Sequence, residues 1–410
     1  MPPSTSSTEA VAYIVPERPA VPLPPITEHS AVSVEIATGA RLAEIQSDWR
    51  DLVARADVAN VFMHPLLVAL SACYPNTRYV TLLGWRERAG RPQLVGFWTF
   101  KVGRAPRSII PVSVLTAPAF ALAFLASPVI DRDVLDATLE AMLEQIAGDP
   151  SLPKFIALDG MRADGATMQA LSRVLAARDS KPCILRRWSR PMLASKLDGK
   201  SYLEQALSAA SRKKLRQHRR RLADKGTLEV KTIAEPDMVA LAVEDFLTLE
   251  AAGWKGRERT ALLCNPPDAT FTREMMAALA PQGDAWIHAL TLDGRPVSMQ
   301  IVLRAGAAAF TWKTAYDETL RGFSPGVLLW EDYTAAFLAR PGIDYVDSCA
   351  FDETSFMSAW SERVAMTELW LDARRGGSPT FAHLSRLQDI YLRLRAQAKA
   401  AYLAHLRRRA

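Results

Sequence analysis

Residues 311–333 combine the groups that an anion-binding site needs. The segment, TWKTAYDETLRGFSPGVLLWEDY, predicts a strand, a polar loop and a helix in that order. Ser324 suits the capping position of this helix and Pro325 suits its first turn, while Gly326 lets a ligand approach the backbone. Arg321 adds a cation, and free N–H groups at a helix N-terminus attract anions. The segment is therefore a candidate anion site; the alternative is an ordinary capped helix.

Two further segments carry candidate site residues. Residues 343–363 begin with a short predicted strand that ends at Asp347, where side chains of a parallel-type sheet reach a crevice. The alternative is that Asp347 is a turn residue. In residues 249–263, LEAAGWKGRERTALL, Trp254 lies among cations after a predicted helix, which suits a flexible substrate-binding loop. The alternative is a solvated basic loop whose Trp254 packs into the core.

Several common chemistries have no motif in this sequence. The GxxxxGK[ST], GxGxxG, HExxH and GxSxG patterns are absent. The six histidines include no pair three or four residues apart, so we expect no metal site. The four cysteines form no CxxC pair, which favours a reducing compartment and hence the cytoplasm. Cys349 is a candidate nucleophile, but a buried structural thiol is the favoured interpretation.

The composition is that of a globular protein. The chain has 410 residues, of which 49% are hydrophobic and 23% charged, and its net charge is +6. These values exclude a wholly disordered or collagen-like chain, and they permit anionic partners without requiring them. Prolines crowd the first 34 residues and predict a disordered arm. The uncharged run over residues 108–130 is long enough to span a bilayer, but three prolines favour a buried strand, loop and helix instead.

The predicted elements occur twice in the same order. Residues 77–103 and 284–306 each contain two β-rich runs joined by a turn with Gly-Arg-Pro, which predicts a hairpin. Each hairpin follows a helical region and precedes a strand, a helix and another strand. This alternation predicts a mixed α/β fold with crossover helices. The expected organisation is a disordered arm (1–34), two domains (35–190 and 191–375) and a basic amphipathic helical tail (376–410).

Taken together, these segments resemble the GNAT acyltransferase superfamily. The signatures are LEAAGWKGR at 249–257, SRKKLRQHRRRL at 211–222, WKTAYDE at 312–318, SPGVLLW at 324–330, and DSCA followed by WSER within 347–363. The set is similar to a bacterial subgroup associated with cellulose and exopolysaccharide synthesis. The first half matches only by its order of elements, and the tandem arrangement resembles the Fem-type peptidyltransferases. The usual glycine-rich pyrophosphate loop is reduced to residues 321–326, and Arg259 stands where a small residue is expected.

The resemblance implies tandem GNAT-like domains that use acetyl-CoA, or another acyl-CoA, and no metal. The positions that match cofactor-binding residues of the superfamily are Trp312, Arg321, Gly322, Ser324, Gly326 and Val327. The residues expected to contact the acceptor are Glu250, Trp254, Lys255, Lys313 and Tyr316.

The resemblance also implies a mechanism. Enzymes of this superfamily move an acyl group from a thioester to an amine by direct attack. A backbone N–H on the strand over residues 310–315 would stabilise the oxyanion, and a carboxylate would take the proton of the amine. Asp347 is the first candidate for that base, with Asp317 and Glu353 in reserve. Lys313 is expected to pair with Asp347 across adjacent strands or to hold a substrate carboxylate.

The expected function is transfer of an acetyl or acyl group to an amine of a small molecule or sugar, in exopolysaccharide biosynthesis. The alternatives are an aminoacyl-tRNA-dependent transferase of the Fem type and a degenerate GNAT scaffold in a polysaccharide-synthesis complex.

Two basic segments leave further alternatives open. Ser211–Arg221 holds seven Lys or Arg and no acid, which suits a solvated helix face, a site for CoA phosphates or an anionic substrate, or an RNA or membrane contact. Nucleic acid is not favoured, because no aromatic–basic RNA-binding pattern accompanies the cations. The tail over residues 386–410 is expected to dock on the body or to lie on an anionic membrane.

Overall fold

The computed structural model describes residues 31–74, 77–105, 108–350 and 356–409. Most of the predicted disordered arm lies outside the described residues. Its last residues, Ser33 and Val34, belong to the first strand, so a disordered arm as far as residue 34 was too long a prediction.

The elements of the first half begin and end as follows: β1 (Ser33–Ala37), α1 (Gly39–Glu44), α2 (Gln46–Arg55), α3 (Pro65–Leu70), β2 (Arg78–Arg88), β3 (Arg91–Gly103), β4 (Val114–Ala117), β5 (Val129–Ile130), α4 (Leu135–Gly148), β6 (Phe155–Arg162), α5 (Ala166–Ala177) and β7 (Cys183–Leu193). Those of the second half are α6 (Gly199–Ala206), α7 (Ala209–Ala223), β8 (Leu228–Ile233), α8 (Pro236–Ala252), α9 (Trp254–Arg257), α10 (Pro266–Leu279), β9 (Ala285–Leu292), β10 (Arg295–Ala305), β11 (Ala308–Tyr316), α11 (Pro325–Ala339), β12 (Tyr345–Asp347), β13 (Glu362–Asp372) and α12 (Pro379–Arg409).

The mixed α/β class and both hairpins are confirmed. β2 pairs with β3, and β9 pairs with β10, in antiparallel register. Asp293 and Gly294 turn the second hairpin with φ values of 49° and 78°, the left-handed conformation that tight two-residue turns require. The predicted helical tail is α12.

One continuous sheet joins the two halves. Its order is β1-β2-β3-β4-β6-β13-β7-β12-β11-β10-β9-β8, with β5 paired to β3. The last strand of each half pairs with strands of the other half. β7 pairs with β12, and β13 pairs with β6 as well as β7. The predicted boundary between residues 190 and 191 falls inside β7. The division into two domains therefore remains a prediction about folding units within a shared sheet.

Parallel pairing opens a crevice in each half of the sheet. β4 pairs with β6 over three residues, and β11 pairs with β12 over three, from Ala308↔Tyr345 to Phe310↔Asp347. Beyond Phe310, β11 continues to Tyr316 with β10 as its one neighbour among the strands that the structure describes. A bulge interrupts the β10–β11 register after Ile301. The carboxyl end of β11 therefore stands apart from its parallel neighbour, at the kind of edge where ligands bind in such sheets.

The largest hydrophobic core cluster contains side chains from both halves. Phe62 of the first half packs edge-on against Phe310 of β11, with ring centroids 5.6 Å apart. The predicted helical positions Leu42, Ile45 and Trp49 are buried in this cluster. Because the core is shared, the halves are held together by the same contacts that stabilise each of them.

Residues 108–130 form the short strands β4 and β5 with irregular chain between them. The helix predicted for this run does not form, because the prolines at 111, 118 and 128 interrupt any regular turn. Among the described residues, no helix is both long and apolar enough to cross a bilayer.

Candidate functional site

A cavity of about 360 Å³ lies between the α8–α9 turn, the carboxyl end of β11 and the N-terminus of α11. It brings together the following residues that the sequence singled out: Glu250, Trp254, Lys255, Tyr316, Arg321, Ser324, Gly326 and Val327. A second cavity of about 580 Å³ shares Tyr316 and Arg321 with the first and adds Asp317. The two therefore share part of their walls.

The remaining predicted site residues lie elsewhere. Trp312, Lys313 and Asp347 are not part of either cavity wall, and neither is Gly322. Glu353 lies outside the described residues. Within the described parts of the chain, no group of three or more His, Cys, Asp or Glu side chains could hold a metal ion.

The N-terminus of α11 has backbone features that suit anion binding. Ser324 occupies the N-cap position with φ 52° and ψ 52°, and its side chain makes no capping hydrogen bond. The expected capping by this side chain is thus wrong, because capping side chains normally extend from a β-region backbone. The N–H groups of Val327 and Leu328 both donate to Ser324 O. Since Pro325 has no N–H, Gly326 supplies the remaining donor of the first turn.

Gly326 leaves room beside that donor. A Cβ built there would lie 3.9 Å from Tyr316 Cδ1 and 4.0 Å from Ser298 Oγ, which is ordinary contact. The first turn of α11 carries no acidic residue. Its dipole is therefore unopposed by any carboxylate of that turn.

Glu250 and Lys255 form an ion pair in the cavity wall. Lys255 Nζ lies 2.7 Å from Glu250 Oε1 and donates to Thr314 O at 3.0 Å. Leu262 N donates to the other carboxylate oxygen of Glu250 at 2.8 Å. The Glu250 side chain is 2% exposed. This pair joins the α8–α9 turn to the open edge of β11.

Glu318 holds the same turn from the opposite side, and sequence analysis missed it. Trp254 N donates to Glu318 Oε1 at 2.5 Å, and Arg257 Nη2 lies 2.6 Å from Glu318 Oε2. Trp254 is 45% exposed, so its interpretation as a core residue is wrong. Gly256 permits the turn, since a Cβ would lie 1.8 Å from Ala251 O. The partners of Glu318 are more than 60 residues away, and no local pattern marks them.

Trp312 and Lys313 lie where the two halves meet. Trp312 Nε1 donates to Leu122 O at 2.8 Å, and the Trp312 side chain is buried. Lys313 Nζ stands 5.4 Å from the centre of the Phe124 ring. Burial, with the charge of Lys255 as a second cause, lowers the pKa of Lys313.

Asp347 pairs with Arg190, not with Lys313 as expected. Both carboxylate oxygens lie 3.3 Å from Arg190 Nη1, and Cys349 N donates to Oδ1 at 2.7 Å. Arg190 also donates to Phe124 O and to Ala350 O. The expected pairing fails because β7 lies beside β12 in the sheet and brings Arg190 to Asp347. Cys349 is buried as predicted, and burial raises the pKa of its thiol well above the usual value.

Asp317 caps the short 3₁₀ turn over Glu318–Phe323. Its Oδ1 accepts from Thr319 N at 2.8 Å and from Thr319 Oγ1 at 2.6 Å. The contacts of this carboxylate are thus local.

The basic helix α7 packs beside the start of α11. Arg219 is bound to Glu331 and Asp332, each at 2.9 Å. The Arg221 guanidinium and Lys225 Nζ lie 5.3 and 5.4 Å from the centre of the Phe323 ring, one residue before Ser324. Among these cations, Arg219 therefore has a structural ion pair, whereas Arg221 and Lys225, the latter two residues beyond α7, lie near the N-terminus of α11.

Comparison with known proteins matches residues 209–354 to the family model described as Acetyltransferase (GNAT) domain. The fold is similar to that of FemX, with a TM-score of 0.59 and 12% identity, over 86% of this chain and 100% of that one. It is also similar to a conserved protein of unknown function from Bacteroides thetaiotaomicron VPI-5482 (TM-score 0.50, 12% identity, 83% of this chain and 99% of that one). A third similar structure is the C-terminal domain of a putative lysylphosphatidylglycerol synthetase from Agrobacterium fabrum (TM-score 0.50, 14% identity, 86% and 97%).

No curated protein was found that matches the sequence. At 12–14% identity the similar structures show a shared fold alone. The family match contains the predicted signatures between α7 and β12 and the whole wall that α11 contributes to the cavity. Residues 209–354 thus match a GNAT acetyltransferase domain, which lies within a larger mixed α/β sheet, and this domain match supports an acyltransferase.

Proposed function

We propose that the protein transfers an acyl group from acyl-CoA to an amine at the 360 Å³ cavity. The observation that carries this proposal is that one cavity contains both a helix N-terminus suited to anion binding and a wall with acidic and basic side chains. We call the latter the acceptor wall. On one side stand Gly326 and Arg321, which suit the pyrophosphate of the donor. On the other stand Glu250, Lys255 and Trp254, which suit an amine-bearing acceptor.

The chemistry requires a stabilised oxyanion and a proton acceptor. The amine nitrogen attacks the thioester carbonyl, the C–N bond forms, the C–S bond breaks, and CoA leaves as its thiolate. Thr314 and Ala315 are the residues of the predicted oxyanion strand that line the cavity, so we assign the stabilising N–H to this stretch. Two carboxylates line the cavity, Glu250 and Glu318. We assign proton uptake to Glu250, since Glu318 is held by Trp254 N and Arg257 on the other side of the turn.

The first half is not assigned a donor site. The helix equivalent to α11 by element order is α4, which carries Asp136 in its first turn, with Asp133 just before it. Carboxylates at a helix N-terminus occupy the region of positive potential and repel phosphate. Donor binding is therefore expected only in the second half.

The acceptor is an amine of a small molecule or sugar. A role in exopolysaccharide biosynthesis rests on the resemblance of the second-half motifs. The exposed cations of α7 beside α11 keep a Fem-type donor, aminoacyl-tRNA, as a second candidate.

Calorimetry with acetyl-CoA tests the donor assignment. Gly326→Glu places a carboxylate at the helix start and should abolish binding in a folded protein. Gly326→Gln supplies similar bulk without charge and should bind more weakly than wild type but better than Gly326→Glu. Gly326→Ala, whose Cβ meets only ordinary contacts, is the matched control and should bind.

Unchanged affinity in Gly326→Glu would remove this site from the donor assignment. Wild-type binding of aminoacyl-tRNA without acetyl-CoA would favour the second candidate. Binding of neither donor by the folded wild type would favour a scaffold without activity.

A further inference from the structure

Over the part whose side chains the structure describes, the last helix, α12, is docked by one face. Phe381 packs against Phe155 with ring centroids 5.4 Å apart, and Ser385 and Gln388 are buried. Ser108 Oγ donates to Gln388 Oε1 at 3.0 Å, which ties the helix to the loop before β4. These contacts fix the first turns of α12 on the body of the protein.

A second apolar face of α12 faces solvent. Leu387, Ile390, Leu394 and Tyr402 are 54%, 53%, 59% and 63% exposed. At 3.6 residues per turn these four side chains fall within an arc of about 120°. Ile109, next to the tethering Ser108, is 55% exposed and extends the apolar surface at the docked end. Four large apolar residues on one exposed helix face mark an interaction surface.

The same helix carries the net charge of the protein. Residues 379–410 hold seven Lys or Arg and one acid, Asp389, a balance of +6, and the whole chain has the same net charge of +6. The rest of the sequence is therefore neutral overall. Asp389 is itself bound to Arg393 at 2.9 Å. Helical spacing places Arg386 and Arg395 on opposite flanks of the apolar face.

We propose that α12 lies on an anionic lipid surface and holds the protein there peripherally. An apolar stripe flanked by cations is the pattern of helices that bind in the plane of a membrane interface. Such a surface covers the apolar face and neutralises the flanking charge at the same time. A second copy of α12 would cover the apolar residues but would bring like charges together, so the lipid surface is the better partner.

Vesicle flotation with the full chain tests this proposal. The probe is vesicles of phosphatidylcholine with about one-third phosphatidylglycerol, compared with phosphatidylcholine alone. Wild type should float with the anionic vesicles, less at high salt, and should bind the neutral vesicles weakly. Leu387→Gln/Leu394→Gln and Arg386→Gln/Arg395→Gln should each weaken binding about tenfold or more.

The matched control is Met238→Gln/Leu241→Gln, which removes apolar residues of 54% and 64% exposure from α8 and should bind like wild type. Unchanged melting temperatures establish that the variants are folded. The proposal fails if wild type does not bind anionic vesicles, or if both α12 variants bind like wild type. A dimer would also contradict the proposal. This outcome requires that wild type has a mass of about 90 kDa in solution and does not bind vesicles, and that Leu387→Gln/Leu394→Gln is monomeric.

Discussion

Two carboxylates of the second half have different surroundings, and these suit them to different tasks. Glu250 lines the cavity and is paired with Lys255, whose amine also contacts the edge of β11. Asp347 is buried away from the cavity wall, paired with a fully buried Arg190. Arg190 in turn holds Phe124 of the first half and Ala350 after β12. Asp347 is thus placed to maintain the contact between halves, while Glu250 lies in the cavity wall, where we propose that the acceptor binds.

We expect Glu250→Gln to lower turnover by about 10²–10⁴ while acetyl-CoA affinity is retained. The loss should be largest at lower pH, where the amine is protonated. We expect Asp347→Asn to lower the free energy of unfolding by about 3 kcal/mol or more, since it leaves Arg190 buried without an ionised partner. Rates are measured with an amine found by screening, and stability by urea denaturation.

The opposite result would return the catalytic role to Asp347. If Asp347→Asn keeps wild-type stability but loses turnover, while Glu250→Gln is active across the pH range, Asp347 is the base as the sequence suggested. Lys255→Met serves as a control for loss of the ion pair without loss of the Glu250 carboxylate.

At the scale of elements, α7 places its cations at unequal distances from the start of α11. Arg221 of α7, and Lys225 two residues beyond its end, lie against Phe323, next to the start of α11. Lys213 and Lys214 are exposed near the other end of α7. Arg219 is engaged with Glu331 and Asp332 and holds α7 to α11. The cations in and after α7 therefore form separate groups with different surroundings, and they do not act as one charge cluster.

We expect Arg221→Gln/Lys225→Gln to weaken acetyl-CoA binding about fivefold or more and to flatten its salt dependence. Lys213→Gln/Lys214→Gln, which removes the same charge from the far end of the helix, should leave the affinity near wild type. Calorimetry at two salt concentrations measures both. If both variants bind acetyl-CoA with the same affinity and the same salt dependence, these cations do not contact acetyl-CoA and α7 is a solvated helix face.

At the scale of the whole molecule, strand exchange makes the halves interdependent. β13 completes the sheet beside β6, and β7 completes it beside β12. Removing either half therefore exposes a strand edge in the middle of the sheet and opens the shared core.

We expect neither residues 1–195 nor residues 196–410 to fold alone, although this cut leaves every strand intact. The full chain should unfold in one transition by circular dichroism and by tryptophan fluorescence. Co-expression of the two fragments is the control, and should give a complex that binds acetyl-CoA. A fragment 196–410 that unfolds cooperatively and binds acetyl-CoA by itself would contradict this expectation.

Sequence alone determined the features that depend on neighbouring residues. The hairpins follow from β-rich runs around Gly-Arg-Pro turns, and the start of α11 follows from Ser324-Pro325-Gly326. The helical face of Leu42, Ile45 and Trp49 follows from spacing. Eight of the predicted site residues meet in one cavity because most of them lie in two short segments around a turn and a helix start.

Only the tertiary structure decided which distant groups meet. Arg190 reaches Asp347 across 157 residues because β7 is inserted next to β12, and Glu318 reaches Trp254 across 64. Neither pairing can be predicted from the local sequence pattern. The alternation of apolar and polar residues in a strand predicts which face is buried, but not which strand lies beside it. Packing of the whole sheet and core determines which strand lies beside which. As a result Asp347 pairs with Arg190 and not with Lys313, whereas Glu250 lies in the cavity wall.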